Sequence, residues 1–317
     1  MRAAKQGNPA PEELFPVRYI IGSRQILSVP KRLHKFTFSL SDLSDGHVGA
    51  LPPLDDGLEG YRILSAPAHA ARSIRSMATG FIAGGQQDYR RHYIDMSGGF
   101  EDYIRHFSAK TRSTLRRKQR KLEREAAARG GALEIREFRT PDEVAAFMEL
   151  AVPLSRRTYQ ARTLDAGLPE DEVSRTEMME LAAQDNLRCF LLLFCGEPVS
   201  YLFLPVVGDT VIYAFLGYDE DFRRLSPGTV LQILALERLF AENRYRYFDF
   251  TEGDGSHKAM FGNCSVDACS FFLLKPNLGN RALLTSLDLF DASVAAAKRV
   301  LAKTGAHSKV RQTIRRA

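Results

Sequence analysis

Three consecutive strand-like segments near the middle of the chain constrain its fold most. Residues 188–195, 199–207 and 210–218 are rich in the aromatic, β-branched and other apolar side chains that favour strands. Only Gly196-Glu197-Pro198 and Gly208-Asp209 separate them, and connections this short join neighbouring antiparallel strands. The sequence therefore predicts a three-stranded antiparallel meander.

The meander lies within an alternation of strands and helices. Short strands such as 18–21 and 35–40, separated by turn-rich stretches, are predicted in the first ninety residues. From residue 132 the predicted order is strand 133–138, a helix from Thr140 to about Pro153, helix 170–184, the meander, a helix after Ser226, strand 246–251, a loop or short helix at 252–262 and strand 266–274. This order predicts an α/β (α+β) fold with a central mixed, mostly antiparallel sheet flanked by helices.

Two motifs frame this region. Residues 110–123 form a basic helical segment, Lys-Thr-Arg-Ser-Thr-Leu-Arg-Arg-Lys-Gln-Arg-Lys-Leu-Glu, and residues 248–253 read Phe-Asp-Phe-Thr-Glu-Gly, with Lys258 behind them. The element order over residues 132–274 resembles the GNAT acyltransferase fold. The two motifs are similar to the FemAB-like branch of GNAT proteins, including those labelled CelD/BcsL acetyltransferases.

The resemblance implies three parts. Residues 1–130 are expected to form a degenerate GNAT-like N-terminal half that ends in the basic helix. Residues 131–276 are expected to form the GNAT acyl-CoA-binding catalytic domain. Residues 277–317 are predicted to be an amphipathic helix and a basic tail.

The turn that opens the helix after the meander has the composition of an anion site. Ser226 is a suitable N-cap, Pro227 fits the first helical position, and Gly228 lets a ligand approach the backbone. The amides of Gly228, Thr229 and Val230 are predicted to be free, and together with the positive end of the helix dipole they favour a diphosphate. Capping alone also explains a Ser-Pro-Gly sequence; its position after the meander favours the ligand.

In the GNAT family this turn usually reads Arg or Gln, two residues, Gly, one residue, then Gly or Ala. Arg223 and Gly228 match the ends of that pattern, whereas Ser226 replaces its first glycine. The resemblance also implies that strand residues before the helix form one wall of a cleft for the pantetheine arm. The predicted acyl-CoA-binding residues are Leu216, Gly217, Tyr218, Arg223, Arg224, Ser226, Pro227, Gly228, Thr229 and Val230.

Attack by an amine requires a neutral nucleophile, so some group must accept a proton. The candidates in and after strand 246–251 are Asp249, Glu252, Asp254 and His257. Asp249 or Glu252 is the predicted base, and the alternative for Asp249 is a buried carboxylate bonded to Lys258 or to backbone amides. A tyrosine, Tyr213 or Tyr218, is the candidate for protonating the departing thiolate.

Basic residues are the candidates for contacting the substrate. Arg116 and Arg117 belong to a basic stripe on the 110–129 helix, which either faces the cleft or is a solvated face. The resemblance implies that Lys258 contacts the substrate or acyl donor, and Asp254 is assigned to the same region.

The expected function is N-acyl transfer, without a metal, from acyl-CoA, expected to be acetyl-CoA, to an amine acceptor. An amino sugar of an envelope polysaccharide, an amino acid and a small peptide are the acceptors considered. One alternative is a FemAB-type aminoacyltransferase that uses aminoacyl-tRNA. Another is a non-catalytic module that binds a polyanion or a membrane surface through its basic clusters.

The four cysteines form no CxxC pair, which argues against a zinc site and predicts free thiols. The polar N-terminus and the lack of a long apolar run predict a cytoplasmic protein without a transmembrane segment, for which peripheral membrane contact stays open.

Overall fold

A computed structural model describes residues 14–21, 24–45, 51–158 and 167–303. The chain divides into two compact units, Met1–Arg90 with Val266–Ala317 and Arg91–Ser265. The strands are β1 (Leu14–Ile21), β2 (Arg24–Thr37), β3 (Gly60–Pro67), β4 (Ile82–Asp95), β5 (Leu133–Phe138), β6 (Leu187–Phe194), β7 (Glu197–Val207), β8 (Thr210–Ile212), β9 (Phe215–Tyr218), β10 (Tyr247–Asp249) and β11 (Cys264–Leu274). The helices are α1 (Leu40–Asp45), α2 (Ala71–Met77), α3 (Phe100–His106), α4 (Ala109–Ala128), α5 (Pro141–Arg157), α6 (Glu172–Ala183), α7 (Pro227–Glu242), α8 (Ser256–Phe261) and α9 (Leu278–Lys303), with 3₁₀ turns at Ala68–Ala70 and Glu220–Leu225.

The first unit contains the sheet β1-β2-β3-β11. β2 and β3 are parallel, and the other two pairs are antiparallel. Helix α9 buries Leu284 and Leu287 against Val17, Leu33 and Phe272 of this sheet. The segment predicted as a separate C-terminal part therefore belongs, through residue 303, to the unit of the first ninety residues, because its apolar stripe has its partner there. The basic tail beyond it lies outside the described residues.

The second unit contains the end of β4 and the strands β10, β8, β7, β6 and β5, in that order, with β9 paired to β7. β8 and β10 are parallel and the other pairs are antiparallel. The mixed, mostly antiparallel sheet flanked by helices is thus confirmed. The predicted meander is also confirmed, with its third strand divided into β8 and β9.

Two boundaries differ from the prediction. Helix α4 buries Leu122 and Ala126 in the core of the second unit, so the basic helix is part of that unit and does not close an N-terminal half at residue 130. Helix α5 starts as predicted, with a capping box between Thr140 and Glu143, but it passes through Pro153 and ends at Arg157. Burial of the residues around this proline, such as Leu154, compensates for the lost backbone hydrogen bond.

Candidate functional site

Strand β9 diverges from β10 at the centre of the second unit. Ile212 of β8 lies opposite Asp249, and the N–H of Tyr213 donates to the Asp249 carbonyl at 2.9 Å. After Tyr213 and Ala214 the chain continues as β9, which pairs with β7 through contacts such as Leu202 with Leu216. Within the described ranges no strand pairs with the other edge of β9. That edge therefore offers backbone hydrogen-bonding groups to a ligand.

Two glycines let this region pack closely. A Cβ atom at Gly217 would lie 2.3 Å from Cε1 of Tyr201, and one at Gly228 would lie 2.9 Å from Cδ2 of Leu216. Because residue 217 has no side chain, β9 packs directly on the Tyr201 ring. Because residue 228 has none, the start of α7 packs against β9, although a Cβ atom at position 228 would require only the end of the Leu216 side chain to move.

The start of α7 differs from the predicted cap. Ser226 has a left-handed backbone, with φ 55°, and its side chain makes no capping hydrogen bond. Its carbonyl instead accepts the N–H groups of Thr229, at 3.1 Å, and Val230, at 3.2 Å. Val230 is the fourth helical residue, whose amide normally closes the first helical bond. Of the three amides predicted to be free, the Gly228 N–H alone makes no hydrogen bond within the described residues.

A cavity of about 430 Å³ lies where α7, β9 and α8 meet. Arg223, Gly228 and Thr229 bring a cation and the helix start to it, and His257 and Lys258 bring titratable groups. The complete lining is Tyr213, Leu216, Tyr218, Arg223, Ser226, Gly228, Thr229, Gly255, His257 and Lys258.

Not every residue predicted to bind acyl-CoA lines this cavity. Gly217, Pro227 and Val230 are buried, and Arg224 is exposed away from the lining. These four residues therefore lie outside the cavity lining.

Asp249 is committed to a buried ion pair. Its side chain is fully buried, Arg91 donates from Nε to Oδ1 at 3.0 Å and from a terminal nitrogen to Oδ2, and the Thr251 N–H donates to Oδ1 at 2.9 Å. Asp249 does not line the cavity. The geometry corresponds to the buried-carboxylate alternative, with Arg91 in place of Lys258, and does not support Asp249 as the base. Arg91 was missed because it lies 158 residues away in the sequence.

The loop after β10 is held by several polar contacts. Thr251 has φ 59°, a costly conformation for a β-branched residue, and its bond to Asp249 holds it there. Lys258 donates from Nζ to the Glu252 carbonyl, and Asp254 lies 2.7 Å from Nε2 of His92. Burial lowers the pKa of Lys258. Glu252 and Asp254 do not line the cavity, whereas Lys258 does.

The two candidate tyrosines lie in the cavity wall. Burial raises the pKa of both Tyr213 and Tyr218 above the ordinary phenol value. A thiol has a pKa of about 8.5 when unperturbed, so a phenol is too weak an acid to pass its proton efficiently to a thiolate. The chemistry therefore favours Tyr218 as a hydrogen-bond donor over the predicted role as a proton donor.

His257 lines the cavity and contacts a buried side chain of α7. Its Nε2 lies 2.5 Å from Oε1 of Gln232, a fully buried residue of α7. Burial, together with the charges of Lys118 and Lys258, lowers the pKa of His257 to about 4. The signal for Gln232 in the sequence is faint, a single glutamine within the otherwise apolar run 230–236.

The basic stripe lies elsewhere on the second unit. Arg116 and Arg117 are exposed and, with Arg112, Arg120 and Arg124, line a groove of about 830 Å³ along α4. They do not line the cavity at β9. Lys118 is the residue of this helix whose charge reaches His257.

Among the helices that the structure describes, none combines the length and apolarity needed to cross a bilayer. The same residues include no group of three or more His, Cys, Asp or Glu side chains arranged to hold a metal ion.

Comparison with known protein families gives a match over part of the chain. Residues 109–259 match the family model described as "Acetyltransferase (GNAT) domain". No curated protein sequence matches the chain.

Solved structures give remote similarities. The chain resembles the crystal structure of FemX, with 13% identity, TM-score 0.46 and coverage of 69% of this chain and 73% of that one. It also resembles the C-terminal domain of a putative lysylphosphatidylglycerol synthetase from Agrobacterium fabrum, with 15% identity, TM-score 0.45 and coverage of 74% and 72%. An aminoglycoside acetyltransferase from an uncultured soil metagenomic sample, solved with sisomicin, has 18% identity, TM-score 0.29 and coverage of 38% and 78%.

The family match starts at the first residue of α4 and ends within α8, so it spans the meander, the start of α7 and the cavity. Residues 109–259, all within the second unit, therefore match a GNAT-type domain model.

Proposed function

We propose that the protein is an N-acyltransferase that moves an acyl group, in the simplest case acetyl, from acyl-CoA to an amine. The observation that carries this proposal is the cavity of about 430 Å³ in which Arg223 and the start of α7, at one end, and His257 and Lys258, at the other, adjoin a strand edge that no described strand pairs with. The matched GNAT domain supports acyl transfer in general.

The anion-binding end would take the donor's diphosphate. Arg223 supplies a cation, and the Gly228 N–H is a free donor at the positive end of the α7 dipole. The pantetheine arm would lie along the free edge of β9 and hydrogen-bond to it as an added strand does. The thioester would then reach the end of the cavity lined by His257 and Lys258.

The acceptor is proposed as an amino sugar, an amino acid or a short peptide. The resemblance to CelD/BcsL-labelled proteins favours an amino sugar of an envelope polysaccharide. The FemAB-type alternative, an aminoacyl-tRNA donor, is favoured by one observation, the exposed arginine stripe of α4, which suits a phosphate backbone.

Calorimetric titration tests the choice of donor. Acetyl-CoA should bind the wild-type protein, and Arg223→Glu should weaken that binding because it reverses the charge beside the diphosphate. The matched control is Arg175→Glu, an equal charge reversal at an exposed position of α6 that does not line the cavity. Arg116→Glu should leave acetyl-CoA binding unchanged, since Arg116 lies on the other groove.

A second titration with aminoacyl-tRNA separates the alternative. If tRNA binds and Arg116→Glu weakens it, while acetyl-CoA does not bind, the aminoacyl-tRNA function replaces the proposal. Binding of acetyl-CoA that is insensitive to Arg223→Glu would contradict the proposed donor site.

A further inference from the structure

We propose that His257 carries the proton of the transfer reaction, accepting it from the attacking amine and returning it to the leaving sulfur, and that Gln232 fixes its imidazole for this task. The inference rests on the proposed function and names residues within the same site. Gln232 acts through His257 and is therefore a positioning residue.

His257 is the one candidate proton acceptor after β10 that lines the cavity within the described residues. Asp249 is closed into its ion pair with Arg91. Asp254 lies against His92, and Glu252 lies outside the lining. An amine in the cavity therefore meets His257 before any of these carboxylates.

The contact with Gln232 determines which nitrogen is available. Oε1 of Gln232 is a carbonyl oxygen and can only accept, so Nε2 of His257 carries the hydrogen in this contact. A neutral imidazole has one N–H, and the lone pair is therefore on Nδ1. Gln232 fixes this tautomer in the way that a neighbouring acceptor orients a catalytic histidine.

Gln232 follows Gly228 by four residues, so the two lie on the same side of α7, about 6 Å apart along its axis. The proton acceptor is thereby positioned by the helix whose first turn faces the donor. The amide nitrogen of Gln232 is buried without a hydrogen-bond partner in the described part of the chain. An unsatisfied buried donor destabilises the folded state, a cost that leucine would avoid. Positioning of His257 accounts for a glutamine here.

Burial and the neighbouring charges keep His257 neutral. The groups that face it are Gln232 from α7, Lys118 from α4, Lys258 from α8 and the phenol of Tyr213. Burial, together with the two ammonium groups, lowers its pKa to about 4. The imidazole is therefore neutral near pH 7 with an unprotonated lone pair, and its imidazolium is a stronger acid than a thiol, whose pKa is about 8.5.

The resulting steps balance. The amine nitrogen attacks the thioester carbon, a C–N bond forms, and the carbonyl oxygen takes the electron pair of the C=O π bond. One proton passes from the new ammonium to Nδ1 of His257. The carbonyl re-forms, the C–S bond breaks, and the thiolate takes the proton back from Nδ1. The products are an amide and a thiol, with no net proton, oxidant or reductant.

The test uses acetyl-CoA as donor and hydroxylamine as a small amine, with release of the thiol as the readout. His257→Asn should lower kcat by about 10²–10⁴-fold, the usual contribution of general acid–base catalysis, and leave the acetyl-CoA Kd unchanged. His106→Asn, at an exposed position of α3 outside the cavity, is the matched control and should keep wild-type kcat.

Gln232 variants separate positioning from a structural role. Gln232→Leu should lower kcat without changing the acetyl-CoA Kd. Gln232→Glu should raise the pKa of His257 by pairing with it, which moves the acid limb of the pH–kcat profile to higher pH. A purely structural role would lower activity in both variants without moving that limb.

Two measurements can overturn the inference. In the kinetic assay, full kcat in His257→Asn would do so, and so would the absence of thiol release by a wild-type protein that binds acetyl-CoA. The other measurement is ¹⁵N NMR, which would overturn it by showing His257 charged at pH 7 or protonated on Nδ1 in the free protein. This second measurement needs no donor, so it decides the inference even if acetyl-CoA fails to bind, an outcome that would instead refute the proposed function.

Discussion

Arg91 and Asp249 form a two-point ion pair whose side chains are only 4% and 1% exposed. The pair joins the end of β4 to the end of β10, next to the point where β9 diverges. Asp249 also accepts the Thr251 N–H, so the same carboxylate holds the loop that leads to Lys258. Asp249, which the sequence predicted as the base, thus holds β4, β10 and the following loop together beside the cleft.

Breaking this pair should destabilise the protein strongly. Arg91→Leu leaves a buried carboxylate without its counterion, and we expect a loss of about 3–5 kcal/mol in the free energy of unfolding, measured by urea denaturation. The double variant Arg91→Leu/Asp249→Leu should recover much of this loss because no buried charge remains. Arg90→Ala, at an exposed position, is the control and should change stability by less than about 0.5 kcal/mol. A cost for Arg91→Leu no larger than that of the control would contradict this account.

The packing of β9 on the Tyr201 ring gives a second prediction. In Gly217→Ala the new methyl group would lie 2.3 Å from Cε1 of Tyr201, so the ring or the strand must shift. Overpacking of this kind costs about 1–3 kcal/mol, and we expect that loss in urea denaturation. Gly98→Ala is the control, since its nearest contact would be an ordinary 3.5 Å. Equal stabilities of the two variants would show that β9 does not rest on Tyr201.

The low pKa of His257 makes stability depend on pH. Its pKa is about 4 in the folded state, below the ordinary 6.5, so the unfolded chain binds the extra proton between these values. The resulting stability is fully present above pH 6.5 and is lost as the pH falls towards 4. The shift corresponds to about 3 kcal/mol.

Urea denaturation at pH 7.5 and pH 5 measures this dependence. The loss between the two pH values should be smaller in His257→Asn than in the wild-type protein, because asparagine does not titrate. An equal loss in both proteins would mean that His257 is not buried as a neutral imidazole.

Local signals in the sequence predicted much of the second unit. Tight turns at Gly196 and Gly208 identified the meander, and the run Thr140-Pro141-Asp142-Glu143 identified the start of α5. The Ser-Pro-Gly turn located the first residue of α7 correctly. These features depend on neighbours in the chain, which is why a sequence pattern reveals them.

The features that the sequence did not reveal depend on distant residues. The partner of Asp249 is Arg91, and the partner of His257 is Gln232 on another element. The amide of Thr229 was predicted to be free, but the left-handed backbone of Ser226 directs a carbonyl to it. The groove on α4 and the cavity at β9 are separate because the buried face of α4, with Leu122 and Ala126, sets which arginines face outward.

The most direct test follows the Gly228 amide by NMR in protein labelled with ¹⁵N-glycine, which contains 23 glycines. Gly228→Ala assigns its resonance by removing it from the spectrum. Saturation with CoA should shift the Gly228 resonance strongly, because a phosphate oxygen accepts the one free N–H at the start of α7. An unchanged Gly228 resonance at saturating CoA would contradict the account.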